Sequence, residues 1–455
     1  MQTFDQSFYN NYGFYLIKEG FLMRKFVLLL LILLITVSSS VFPVFLKAVT
    51  IGPGPVPITR AKNLEIAAER LREKGIDVEI DVTFSREKFT EYRKVFALRY
   101  KTGQVEDIHS EDSGIIPEYA ENGQIIPLDD LISRDLLKDF YPVALQCMTW
   151  KGKLYALPIE LVVYNIFYRK DVLRKMGYTD EEIEKMLPVN AHGVSLYELI
   201  DLAKRAKEMG LVEWGFLHRP SPGGYFHMIT AMFGGEFVDE KTGKLIIDTD
   251  ALLKNFKFHR YLVENGLLPK DMTSWSWKTI HKYIVEGKTL FWIGGHTGQW
   301  REWQMVPYHE TLGKLSEEYL WENMGIMAFP GPTSFVVAHG YTIVSKTKHK
   351  ELAAKVLEEA VAPDLLAKHC ITTFRGPARK SVLGDPEFQK EKYLVLVSKI
   401  IEVARPFPSH PEFSKYNSLI YDAISGIETG KLTPEEALEF VIKRAKAEIK
   451  DVIVK

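Results

Sequence analysis

Ala48-Val-Thr-Ile-Gly-Pro-Gly-Pro55 and Val78-Glu-Ile-Asp-Val-Thr-Phe84, with a helical stretch between them, decide the fold. The first is a short β-branched run cut off by a Gly/Pro cluster that forces a loop. Between the two, Leu64, Ile66, Ala67, Ala68 and Leu71 recur at helical spacing, and Gly75 follows where a C-terminal cap belongs. The second run alternates with period two, giving one apolar and one polar face. Strand, helix, strand is the grammar of an α/β sheet. Such sheets place ligands beyond the carboxyl ends of their strands, which makes Gly52 to Pro55 and Ser110 to Gly114 candidate ligand loops.

The chain has 455 residues, 46% apolar and 26% charged, enough for a large core in two or three domains. Its 58 basic and 59 acidic residues leave a formal charge of -1, so nothing global favours nucleic acid as a partner. Two cysteines, Cys147 and Cys370, are too few for a Cys-rich zinc module and form one disulfide or none.

Arg24-Lys25 precede an uncharged stretch from Phe26 to Leu46. A basic start, a compact apolar core and then Ser38-Ser39-Ser40 fit a secretory signal. The full stretch also reaches the ~17–25 residues of a membrane helix, although Pro43 weakens a single straight one. Cleaved signal and retained anchor both place the rest of the chain outside the cytoplasm. Met1 to Leu22 shows no periodicity and reads as a tail or an over-extended start, with Met23 as the alternative start.

Ser195-Leu-Tyr-Glu198 and Thr433-Pro-Glu-Glu436 are capping boxes that open helices. A search for catalysis finds little. Gly287-Lys288-Thr289 lacks the first glycine of a phosphate loop, and the histidines contain no His-Glu-x-x-His. Ser85-Arg-Glu-Lys88 and Ser345-Lys-Thr-Lys348 have no accompanying β-lactamase triplets. Glu111 and Asp112 could be a glycosidase pair, but neighbours in an extended chain point to opposite sides instead of facing each other across a sugar. No cofactor or metal is indicated.

Several segments in order carry a resemblance. Asp107 to Leu131, with its Ile126-Pro-Leu-Asp-Asp130 turn, resembles the ligand loop and following helix of family 1 extracellular solute-binding proteins of ABC importers, the maltose-binding-like group. Gly152-Lys-Leu-Tyr-Ala-Leu-Pro-Ile-Glu160 with Tyr168-Arg-Lys-Asp-Val-Leu173 is similar to that family's first hinge crossover. Val285 to Gly295 resembles the strand and ligand loop of the second lobe. Gly325 to Pro332 with Gly340 to Val344 resembles the return crossover, and Arg375 to Val382 and the Thr433 helix complete the order.

The resemblance implies a two-lobed, periplasmic-binding-protein-like (type II) α/β fold whose central cleft closes on a ligand. It places 47–161 with 326–360 in the first lobe and 162–325 with 361–455 in the second, behind a tail (1–22) and a signal or anchor (23–46). It implies a monomer that binds a carbohydrate, has no catalytic activity and hands its ligand to membrane permease subunits. The alternatives are a non-sugar solute such as a phosphoester, polyamine or peptide, or an exported glycoside hydrolase. Carried over by position, the expected ligand contacts are Pro55, His109, Glu111, Asp112 and Glu160 from one side, and Tyr225, His296, Trp300, Arg375 and Tyr416 from the other. Thr297 stands where the family often has an aromatic. Glu111 and Asp112 are expected on a solvent-facing loop, where replacement by alanine leaves folding nearly untouched.

Overall fold

The computed structural model describes residues 43–239, 241–331 and 333–455. The expected tail and most of the expected signal or anchor lie outside them. Among the described residues, no helix is long and apolar enough to cross a membrane.

The chain opens with β1 (Val44–Ile51), α1 (Val56–Glu73), β2 (Val78–Ser85), α2 (Phe89–Thr102) and β3 (Ile108–Asp112). The βαβ reading of 48–84 is what forms, but β1 starts earlier than the sequence suggested. Val44, Phe45 and Leu46 pair with Val78, Glu79 and Ile80, and Leu46 is fully buried, so these three residues belong to the sheet.

The strands β4 (Ala156–Arg169), β5 (Trp214–Leu217), β6 (Thr289–His296), β7 (Met324–Met327) and β8 (Phe335–Ile343) build the rest of the main sheet, to which the two-residue strands Gly376–Pro377 and Arg405–Pro406 add on β4 and β8. Its order is β2-β1-β3-β8-β4-β6-β5, with β7 also on β4. β4 is therefore shared. Its first half lies against β8, through pairs such as Ala338 with Leu161, and its second half lies against β6 and β7. A 14-residue run of mostly apolar residues, thirteen of them buried, suits a strand covered on both faces. β4 and β8 thus carry the chain between two lobes.

The first lobe packs α1 and the helix Lys350–Ala360 on its sheet. Residues 363–381, expected with the second lobe, pack here as well. Arg70 Nη1 bonds Asp364 Oδ1 at 3.2 Å, Thr59 Oγ1 lies 2.8 Å from His369 Nδ1, and Tyr141 N donates to Ala378 O at 3.0 Å. The second lobe holds Thr249–Glu264 against Phe413–Glu428 and Pro434–Glu448, and pairing of Ile453–Val454 with Ile246–Ile247 ties in the C-terminus. Both capping boxes form as read. Cys147 and Cys370 are buried free thiols, so the bridge is not made.

Candidate functional site

The site is built where β4 passes between the lobes. Of its fourteen residues only Tyr164 keeps partial exposure. Tyr164 pairs with His296 at the end of β6, their rings 6.1 Å apart and nearly perpendicular, and stacks with Phe407 at 6.4 Å. Burial raises the Tyr164 hydroxyl, and the charges of Arg219, Arg375 and Asp112 all bear on it, so these groups share one neighbourhood.

Arg219 comes from the turn after β5, at the carboxyl end of a strand. Its Nε donates to Gly294 O at 2.5 Å and its guanidinium lies 4.8 Å over Trp277. Gly294 and Gly295 are required by close approach. A Cβ on Gly294 would meet Arg219 Cγ at 2.8 Å, and one on Gly295 would meet the Phe167 ring at 2.4 Å. Arg219 makes no ion pair among the described residues, and burial lowers its pKa. Burial likewise lowers Arg375, whose Nε stands 3.8 Å from Glu160 without a hydrogen bond. His296 accepts from Gly298 N–H on Nδ1 at 3.1 Å. Burial first, then Arg219 and Arg375, hold it well below the ordinary histidine range, so it stays neutral.

The first-lobe side is charge-paired. Arg93 from α2 binds Glu111 through Nε (3.1 Å) and Nη2 (2.8 Å), and Nη2 also reaches Asp112. Asp112 keeps one-fifth of its side-chain exposure and accepts from Gly114 N–H. Glu111 is fully buried, which corrects the solvent-facing expectation: on adjacent residues of β3, one side chain turns inward and the other outward. Burial pushes Glu111 up to about 7, Arg93 opposing.

Glu160 is also fully buried. It accepts from Arg60 Nη2 at 2.9 Å and from His369, with His339 Nδ1 at 3.5 Å. Arg60 also donates to Ile51 O, so the knot ties α1, β1, β4 and the helix Pro363–Thr373 together. Burial would raise the Glu160 carboxyl. The charges of Arg60 and His369 outweigh it and hold Glu160 well below the carboxylate range.

The remaining expected contacts divide. Pro55 is exposed at the start of α1, its carbonyl accepting from Thr59. His109 is instead in the first-lobe core, stacked on Phe96 at 4.7 Å and Tyr92 at 5.1 Å. Trp300 is in the core against Tyr393 at 4.6 Å, and Tyr416 packs against Phe413 and His227. Tyr225 is buried, its hydroxyl donating to Ser221 O beside Arg219. The structure therefore gathers Asp112, His296 and Arg375 with Tyr164, Arg219 and Phe407, and it turns His109, Trp300 and Tyr416 away.

Residues 67–394 match the family described as bacterial extracellular solute-binding protein. The chain belongs to that family. This solute-binding protein is 21% identical over 380 residues to the maltotriose-binding protein of Pyrococcus abyssi, covering 81% of this chain and 75% of that one. It is 26% identical over 338 residues to a maltodextrin-binding protein of Bacillus subtilis, covering 70% and 72%. The sugar-binding protein MalE of Xanthomonas citri shares its two-lobed fold with a TM-score of 0.70, at 15% identity over 90% of this chain and all of that one.

The sequence reading missed Tyr164, Arg219, Arg93 and Phe407. Two carried a signal. Tyr164 is a polar-tipped aromatic in a largely apolar crossover strand, and Arg219 follows a strand end. Arg93 and Phe407 reach the site only through tertiary packing.

Proposed function

We propose that this solute-binding protein captures a sugar or oligosaccharide between its lobes and delivers it to the permease subunits of an ABC importer, as a monomer outside the cytoplasm and without catalysis. The observation that carries this is the cleft surface at Tyr164. The stacked Tyr164 and Phe407 rings offer flat apolar faces beside Asp112, His296 and two guanidiniums, a combination suited to a ring with C–H faces and hydroxyl edges. The relatives named for maltotriose and maltodextrin binding support the same reading. Absence of catalysis is supported by the carboxylates at the cleft: Glu111 and Asp112 share one guanidinium and Glu160 is locked by Arg60 and His369, so none of these three is free to act as an acid/base pair across a glycosidic bond. Within carbohydrates, a buried Arg219 that makes no ion pair among the described residues favours a second reading, a sugar bearing a carboxylate such as a uronate.

Thermal-shift and calorimetric titration with maltotriose, maltotetraose and a galacturonic acid trimer test both readings. A bound ligand at ~100 times its dissociation constant adds ~2.7 kcal/mol of stability. A response to the neutral sugars alone supports the first reading, and a response to the uronate alone supports the second. Silence to a broad neutral and acidic oligosaccharide library overturns the carbohydrate assignment.

A further inference from the structure

The core of the second lobe holds a polar cluster that the cleft does not use. His218 follows β5, His259 lies in the helix Thr249–Glu264, and Glu428 ends the helix Phe413–Glu428. All three side chains are fully buried. His218 Nε2 and His259 Nδ1 each lie 2.8 Å from the same carboxylate oxygen, Glu428 Oε1. Glu428 Oε2 and His259 Nε2 are buried without partners.

The far side of the His218 ring makes this arrangement informative. His218 Nδ1 lies 2.7 Å from the carbonyl oxygen of Arg219. A carbonyl only accepts, so Nδ1 carries the hydrogen and, in a neutral imidazole, Nε2 carries a lone pair. That lone pair points at a carboxylate oxygen already engaged by His259. Two arrangements relieve the repulsion: a proton shared between Nε2 and the carboxylate oxygen, or a cation seated among the three side chains. An imidazole that donates one N–H to a backbone carbonyl while aiming its other nitrogen away is also the arrangement that orients a metal-ligating histidine.

We propose that His218, His259 and Glu428 bind one divalent transition-metal ion of the zinc class. Two imidazole nitrogens and a carboxylate are a donor set that zinc accepts, with bonds of ~2.0–2.2 Å. The three donor atoms already lie within 4.8 Å of one another, so small side-chain movements seat the ion, and Glu428 Oε2 gains a partner. The ion would cross-link a strand end and two helices that are up to 210 residues apart in sequence. Through the His218 ring it would also fix the carbonyl of Arg219, whose side chain faces the cleft.

The test uses the tag-free full chain, stripped with a chelator and equilibrated with zinc chloride. Expected are about one zinc retained per chain after gel filtration, a raised melting temperature, and X-ray absorption showing two histidine nitrogens. Glu428→Gln and His259→Gln should each weaken zinc binding by roughly 10- to 100-fold or more. If either variant does not fold, the stoichiometry and absorption spectrum of the unsubstituted chain decide. A folded chain that retains no zinc, or variants that bind it as tightly as the parent, overturn the proposal. The first result would leave a proton shared between His218 Nε2 and Glu428 Oε1.

Discussion

The two walls of the cleft treat charge in opposite ways. On the first-lobe side the carboxylates at the cleft already have their cations: Arg93 for Glu111 and Asp112, Arg60 for Glu160. On the other side, among the described residues, Arg219 makes no ion pair: it meets a backbone carbonyl, a glutamine and the face of Trp277, with Glu302 acting on it only through its nearby charge. A guanidinium held in a half-dry site without an ion pair is costly to the free protein and valuable to a ligand that supplies acceptors. The comparison separates charge that holds the lobe together from charge held ready for a partner.

Breaking the paired wall should give the largest effect. Glu160→Ala leaves Arg60 buried and unpaired, and loss of one member of such a pair costs about 3–5 kcal/mol. Glu111→Ala should cost less, about 1.5–3 kcal/mol, because Arg93 keeps Asp112. Urea unfolding monitored by circular dichroism measures both. If Glu160→Ala is as stable as the parent, the knot is not structural and the contrast between the walls fails.

The unpaired wall should respond in affinity more than in stability. Arg219→Gln should change unfolding free energy by within about 1 kcal/mol, and weaken the sugar that the titrations identify by roughly 10- to 150-fold, the equivalent of about 1.5–3 kcal/mol. Parallel calorimetry and thermal unfolding separate the two. A large stability loss with unchanged affinity would make Arg219 another structural cation and erase the difference between the walls.

The same contrast explains how much was readable in the sequence. The βαβ start and the capping boxes at Ser195 and Thr433 are local patterns, and local patterns survive into the fold. The pairing of Arg60 with Glu160 spans 100 residues and that of Arg93 with Glu111 joins a helix to a strand. Neither has a periodicity to announce it. Assigning Glu111 to solvent failed because a charged residue reads as exposed unless its buried partner is known. His109, Trp300 and Tyr416 were placed at the cleft by position within a family, while their side chains pack into the cores behind it. Strand direction fixes the loop, and tertiary packing fixes which way each side chain turns.

His109 offers the smallest and cleanest test of that distinction, because it sits directly behind the paired wall and its ring makes no hydrogen bond among the described residues. Its ring is stacked between Phe96 and Tyr92, with both nitrogens buried and unpartnered. Burial, reinforced by the charge of Arg93, lowers its pKa to about 3, against about 6.5 in an unfolded chain. The folded state therefore binds fewer protons than the unfolded state between these values. Stability from the neutral ring is fully present above pH ~6.5 and is lost progressively as the pH falls toward 3. At pH 5 the loss relative to pH 7.5 is about 2 kcal/mol from this residue alone. His109→Phe keeps a flat ring in the stack and removes the proton site. The variant should lose about 2 kcal/mol less than the parent between pH 7.5 and pH 5, as read by urea unfolding at the two values. An equal loss in both proteins would mean that the imidazole reaches solvent or the cleft, which would return His109 to the ligand wall.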